Sequence, residues 1–227
     1  MFRKTLTLFA VFAMALAAGY LLIKPEPAKV TESFELPFAA NAQSTDPDSA
    51  EETVIEEMVL GNPDAPLTVI EYASFTCPHC ASFHQNTYYD LKKNYIDTGK
   101  IKFVFREIYF DKYGIWASMI ARCAGPEKFF GLTDMLLSSQ RTWARAGDDL
   151  AIVNELSKIA RLAGMEEDQI QGCLRDGVKI KALVEWYKEN ATADNVRSTP
   201  SFIIDGQLYS NMSYEEFSKL LDEKLGS

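Results

Sequence analysis

The chain has 227 residues, of which 47% are apolar and 24% charged, the balance of a soluble globular protein with room for one domain or one domain carrying a sizeable insertion. Its formal net charge is −9. Arg3 and Lys4 contribute +2 and residues 24–53 contribute −5, so residues 54–227 carry −6, an acidic surface that excludes nucleic acid as the main partner.

Taken in chain order, the first segment is an export signal. Residues 1–4 are a short basic start, and residues 5–23 run without a charge. Small residues at Ala13, Ala15, Ala17 and Ala18 offer cleavage sites, while the length of the apolar run is close to the roughly 20 residues that span a bilayer. A cleaved signal peptide and a retained membrane anchor both fit. Residues 24–53 hold Pro25, Pro27, Pro37 and Pro47 with scattered acids and no sustained period, which reads as a flexible linker.

From residue 54 the pattern becomes that of a fold. Residues 54–60 read as a short strand closed by the turn-like run 61–66, and residues 67–75 as a buried strand. Pro78 opens a helix expected to reach about residue 98, with Gly99 as its stop. Residues 101–108 are a further strand. Helical spacing follows at 115–124, 127–139, 150–163, 166–174 and 178–190. Residues 201–205 and 207–209 are two short strands around Gly206, and Ser213 begins a last helix with the capping-box pattern S-x-x-E. The order β-β-α-β, a helical block, then β-β-α implies an α/β fold with a mixed sheet and a helical lobe on one side.

The chemistry concentrates at Cys77-Pro78-His79-Cys80, between the buried strand and the helix. With Cys77 at the helix N-cap and Pro78 at the first helical position, the free N–H groups of the first turn face the Cys77 sulfur and stabilise a thiolate. His79 adds a donor or a positive charge. Cys80 lies three positions on, where it can close a disulfide with Cys77. Cys77 is therefore expected to be the exposed nucleophile and Cys80 the shielded resolving thiol. A structural disulfide or part of a zinc site is the plainer alternative, but only His79 and His84 could supplement the cysteines. No metal or other cofactor is expected. Cys123 and Cys173, both in the helical block of an exported chain, are expected to form a second, structural disulfide; two free buried thiols are the alternative. His84, one turn beyond Cys80, reads as a half-buried helix position.

The stretch 67–80, the lead-in 61–66 and the segment Ser198-Thr199-Pro200-Ser201-Phe202 resemble DsbA-like proteins, a family of thiol:disulfide oxidoreductases, over about residues 54–227. The resemblance implies a thioredoxin fold at 54–111 and 194–227 with an inserted helical domain at 112–193. It implies a periplasmic dithiol oxidase acting on unfolded or reduced exported proteins and reoxidised by a DsbB-type membrane quinone reductase. It implies that Thr199-Pro200 is the cis-proline segment that pairs with substrate, and that Glu71, inside the buried strand, assists proton transfer at the buried thiol; a water-exposed edge acid is the plainer reading of Glu71. Thr before this proline departs from the best-known oxidase of the family and occurs in isomerases. A disulfide isomerase or reductase of the same fold therefore stays open, with a thiol-based metal chaperone as the more distant rival.

Overall fold

The computed structural model describes residues 53–226. Residues 1–52, which hold the expected export segment and nearly all of the expected linker, lie outside the described residues. Among the described residues no helix is long and apolar enough to cross a membrane.

Five strands form one mixed sheet in the order β1-β3-β2-β4-β5. They are β1 (Met58–Gly61), β2 (Leu67–Ala73), β3 (Ile101–Glu107), β4 (Ser201–Ile204) and β5 (Gln207–Ser210). Strands β2 and β3 are parallel, with Val69 opposite Phe103 and Glu71 opposite Phe105, and the other pairs are antiparallel. The two central strands are covered on both faces, which explains their near-continuous apolar runs. Strand β1 starts at Met58, later than the apolar pattern from residue 54 suggests. It ends at Gly61, where φ is +91° and an added Cβ would meet Ile96 Cγ2 at 2.9 Å and the Ile101 carbonyl oxygen at 3.0 Å. Only glycine fits that turn.

The crossover from β2 to β3 is one helix, α1, spanning residues 78–96. It begins as a regular helix at Pro78–Phe83 and passes through two π-helical turns, His84–Tyr88 and Lys92–Ile96, joined by Tyr89–Leu91. The sequence pattern gives no sign of these wide turns, and they shift which residues face the sheet. Phe83, His84, Thr87, Tyr88 and Leu91 are all buried as a result.

Between β3 and β4 come six helices: α2 (Lys112–Cys123), α3 (Pro126–Ser138), α4 (Gln140–Trp143), α5 (Asp149–Leu162), α6 (Glu167–Arg175) and α7 (Gly177–Ala193). Their starts follow ordinary capping rules: the side chains of Asp111, Asp148 and Asp176 accept from the N–H groups of Gly114, Ala151 and Lys179. The last helix, α8 (Tyr214–Leu225), carries the full capping box between Ser213 and Glu216. The short helix α4 has no counterpart in the sequence reading, since four residues carry no period.

The helical block is joined to the sheet through a shared core. Phe129 of α3 packs on Phe105 of β3 with ring centroids 5.8 Å apart. Glu107, at the end of β3, is fully buried and takes two hydrogen bonds of 2.6 Å from the Nε and Nη2 of Arg122 on α2. Its Oε1 also accepts from Ser118, and Arg122 Nη1 donates to the Glu56 carbonyl, so this buried pair is well satisfied. The described residues form one compact unit.

Cys123, at the end of α2, is bonded to Cys173 of α6, with Cα atoms 6.1 Å apart and 50 positions between them. Closing a loop of that length stabilises the fold by up to about 4 kcal/mol through the unfolded chain's lost entropy. The bridge lies in the helical block, while the reactive segment follows β2. Replacing both cysteines by alanine is expected to lower the thermal midpoint measured by circular dichroism, by an amount bounded by that figure. The rate of dithiol oxidation at 25 °C should stay within about twofold of the parent. A lost rate at unchanged stability would instead make the pair a regulatory one.

Candidate active site

Cys77 occupies the N-cap of α1, with extended backbone angles (φ −81°, ψ 119°) and Pro78 directly after it. The turn that puts it there is held locally. The Cys77 N–H donates to the Ser74 carbonyl at 3.1 Å, and the Thr76 N–H donates to Ser74 Oγ. From the helical block, the buried amide of Gln140 on α4 donates to the Phe75 and Cys77 carbonyls at 2.8 and 2.9 Å. The Phe75 carbonyl, which has no partner in sheet or helix, is thus satisfied by a side chain, and the Cys77 carbonyl, which already accepts from the Ala81 N–H at 3.2 Å, gains a second donor.

Cys77 and Cys80 are both unbridged here. Cys80 is fully buried, as the spacing leads one to expect, but Cys77 is only 7% exposed rather than open. The reason is the Thr199-Pro200 segment, whose peptide bond is cis and whose Thr199 carbonyl oxygen lies 3.6 Å from Cys77 Sγ. A network anchors the chain leading into that segment. Tyr72 of β2 donates to Asp194 at 2.5 Å, and Arg106 of β3 donates to Tyr72, Asp194 and Glu57. Three parts of the fold are therefore fixed to the strand that carries Cys77.

The two thiols are pushed in opposite directions. The Cys77 thiol is lowered to about 5, first by a hydrogen bond from Cys80. Burial opposes this, while the Thr199 hydroxyl and the backbone N–H groups of Cys80 and His79 assist it. Thr199 acts both ways: its hydroxyl stabilises the thiolate, and its carbonyl accepts from the neutral S–H. Cys80 is raised, mainly by burial, then by the hydrogen bond it donates to Cys77 and by the nearby charge of Glu71. The His79 side chain is exposed and makes no hydrogen bond among the described residues. The donor that the sequence assigns to this side chain is instead seen at the residue's backbone.

Glu71 is fully buried, not an edge acid. Its Oε2 lies 3.0 Å from His84 Nε2, and His84, only 2% exposed, stacks on Tyr88 at 4.4 Å. Among the described residues Glu71 Oε1 and His84 Nδ1 have no partner, an arrangement that is unfavourable in a buried site unless the atoms serve a purpose. The sequence reading left His84 as a half-buried helix residue. A signal was present: a buried carboxylate needs a donor, and His84 stands one turn beyond Cys80 on the same helix. Among the described residues no group of three or more His, Cys, Asp and Glu is placed to hold a metal ion.

Two outcomes follow from this geometry. In the reduced protein, Cys77 should react with iodoacetamide at pH 6 while Cys80 does not, as read by mass spectrometry. Because the folded Cys77 binds its proton more weakly than the free thiol near 8.5, the unfolded chain holds more protons between those values. The stability of the reduced protein should therefore rise with pH from about 5 to about 8.5, and the gain should vanish below 5. A flat profile in denaturant titrations of the reduced protein would contradict it. Separately, Glu71→Gln and His84→Phe should each slow release of a preformed mixed disulfide at Cys77 by about a hundredfold, the lower end of what a general acid–base group contributes. The alkylation rate of Cys77 should stay nearly unchanged.

Comparison with known proteins places the chain in a family. A family model described as thioredoxin matches residues 53–223. A Rickettsia prowazekii (strain Madrid E) protein named "Putative protein-disulfide oxidoreductase" is 35% identical over 170 residues, 74% of this chain; the chain spans 61% of that relative's length. Among solved structures, alpha-DsbA1 of Wolbachia pipientis superposes with a TM-score of 0.68 at 28% identity, covering 76% of this chain and 92% of the other. A protein-disulfide isomerase from Novosphingobium aromaticivorans gives 0.65 at 25% identity, covering 75% and 98%. With this fold, this match over most of its length and these neighbours, the chain belongs to the thioredoxin family.

Proposed function

We propose that this protein is a periplasmic thiol:disulfide oxidoreductase that introduces disulfides into exported proteins. The observation that carries this reading is the opposite displacement of the two thiols, Cys77 down to about 5 and Cys80 up, at one helix N-terminus. A dithiol whose reduced form is stabilised as a thiolate is an oxidant when bridged.

The exchange proceeds in two displacements. A substrate thiolate attacks Cys77 Sγ of the Cys77–Cys80 disulfide, forming a mixed disulfide and releasing Cys80. The buried Cys80 sulfur takes a proton, for which Glu71, a buried carboxylate poised by His84 and close enough for its charge to raise the Cys80 thiol, is the candidate donor. The substrate's second thiolate then attacks its own first sulfur. Its disulfide forms, Cys77 leaves as a stabilised thiolate, and two electrons remain on this protein. Thr199 holds the leaving sulfur through its hydroxyl, and its backbone lies beside the reacting atoms, where an extended substrate can pair with it. Return to the disulfide requires an electron acceptor, for which a DsbB-type membrane quinone reductase fits an exported protein.

Isomerase or reductase activity of the same site is the second reading. The Novosphingobium neighbour's name favours it, whereas the Thr199 hydroxyl, which stabilises the Cys77 thiolate, favours the oxidase. The reduction potential separates the two. An oxidase should lie above about −180 mV, toward the oxidising end of the family's range, and a reductase near −270 mV. His79→Val should leave the Cys77 pKa and the potential nearly unchanged, because His79 acts on the sulfur through its backbone N–H; a raised pKa and a more reducing potential would show that the imidazole contributes. If both stay fixed, the helix terminus and its N–H groups set the redox poise without the imidazole.

A further inference from the structure

Residues 54–227 carry a net charge of −6, yet the two clefts beside Cys77 are walled by cations. The first cleft, about 370 Å³, is floored by Ile108, Tyr187 and Val196, is edged by the 61% exposed Phe110, and ends at Thr199. Lys188 and Arg197 stand in its wall, and no acid does. The second, about 400 Å³, begins at Thr76 and Pro78, the residues on either side of Cys77, and is walled by Arg141 and Arg145 of α4 and the loop after it. Its one acid, Asp111, is committed to the N–H of Gly114.

Among the described residues these four cations differ from about half of the others. Lys92, Arg106, Lys112, Arg122, Arg161 and Lys224 each hold a carboxylate within 3.1 Å. Among the described residues Lys188, Arg141 and Arg145 hold none, and Arg197 bonds only the neutral Asn195 Oδ1. Cations without counter-charges, gathered in clefts of an otherwise acidic protein, focus a positive potential where a partner must approach. The apolar floor of the first cleft adds a place for a side chain of an unfolded segment.

We infer that the two clefts dock acidic, extended segments of reduced polypeptides on both sides of the substrate cysteine. Carboxylates on one side of that cysteine meet Lys188 and Arg197, with an apolar neighbour against Phe110, and carboxylates on the other side meet Arg141 and Arg145. This inference rests on the thiol-exchange reading of Cys77 and names the substrate class of that site. It accounts for the position of the cations: an electrostatic site acts first on encounter, and selects among chains before any sulfur reacts.

The test uses the full-length chain and three dithiol peptides that share one pair of cysteines flanked by Asp and Glu, by Asn and Gln, or by Lys. Oxidised protein should convert the acidic peptide with a kcat/KM about tenfold above the neutral one, the scale that two or three exposed ion pairs supply. The lysine peptide should be the slowest, and the preference should shrink between 20 and 500 mM salt. Reversal at Lys188→Glu and Arg197→Glu, or at Arg141→Glu and Arg145→Glu, should invert the order, with Lys188→Gln and Arg197→Gln as milder forms should the reversals not fold. Equal rates for the three peptides, or an order untouched by the substitutions, overturn the inference. Oxidation of dithiothreitol, which reaches Cys77 without the clefts, reports on the exchange chemistry by itself. Fluorescence anisotropy with the acidic peptide in its Cys→Ser form reports docking without chemistry, so the two readings fail separately. Vesicles of phosphatidylglycerol provide the competing occupant: cation-dependent binding to them, with no binding of the acidic peptide, also overturns the inference.

Discussion

The N–H groups at the start of α1 can stabilise the Cys77 sulfur only if the chain turns there, from the end of a buried central strand straight into a helix. That constraint organises much of the molecule. Strand β2 is flanked by β3 and β4, so its end is fixed to within the sheet's own rigidity. Pro78 fits the first helical position, where a missing N–H leaves no gap. Ser74 and Gln140 take up the backbone groups that so sharp a change of direction leaves over. The helix then runs back across the sheet, with Cys80, Phe83, His84 and Tyr88 packed beneath it.

Burial sets the difference between the two thiols. Cys80 is surrounded by apolar groups and by the Glu71 carboxylate, both of which disfavour a second negative charge. Cys77 feels burial as well, but donors from Cys80, Thr199 and two backbone N–H groups outweigh it. The asymmetry needs the opposing strand as much as the helix. Tyr72, Arg106 and Asp194 hold the approach to Thr199 in place, and Tyr72 itself is kept protonated by burial and by Asp194.

Much of this is legible in the sequence because it depends on local rules. The β-β-α-β and β-β-α segments, the mixed sheet, Cys77 at a helix start and the S-x-x-E cap at Ser213 all follow from spacing and residue type over fewer than ten positions. The rest depends on contacts across the chain. His84 meets Glu71 from 13 positions away through a π-helical turn that no periodicity announces. Gln140 looks like any polar helix residue until the fold brings it 63 positions back to the Cys77 carbonyl. Arg122 is adjacent to Cys123 and reads as a surface cation, yet it is buried on Glu107. Cys77 is less exposed than its place at a helix start suggests for the same reason, since the segment covering it lies 122 positions downstream.

Gln140 carries one more implication. Its amide is the direct bond between the helical block and the carbonyls of the reactive turn, and it sits beside the fully buried Trp143 in the same short helix. The turn cannot loosen without freeing that amide, and α4 cannot lift without leaving the Phe75 carbonyl unpaired. Local opening of the two regions is therefore one cooperative event. A lobe remote in sequence thus acts as the latch of the redox turn.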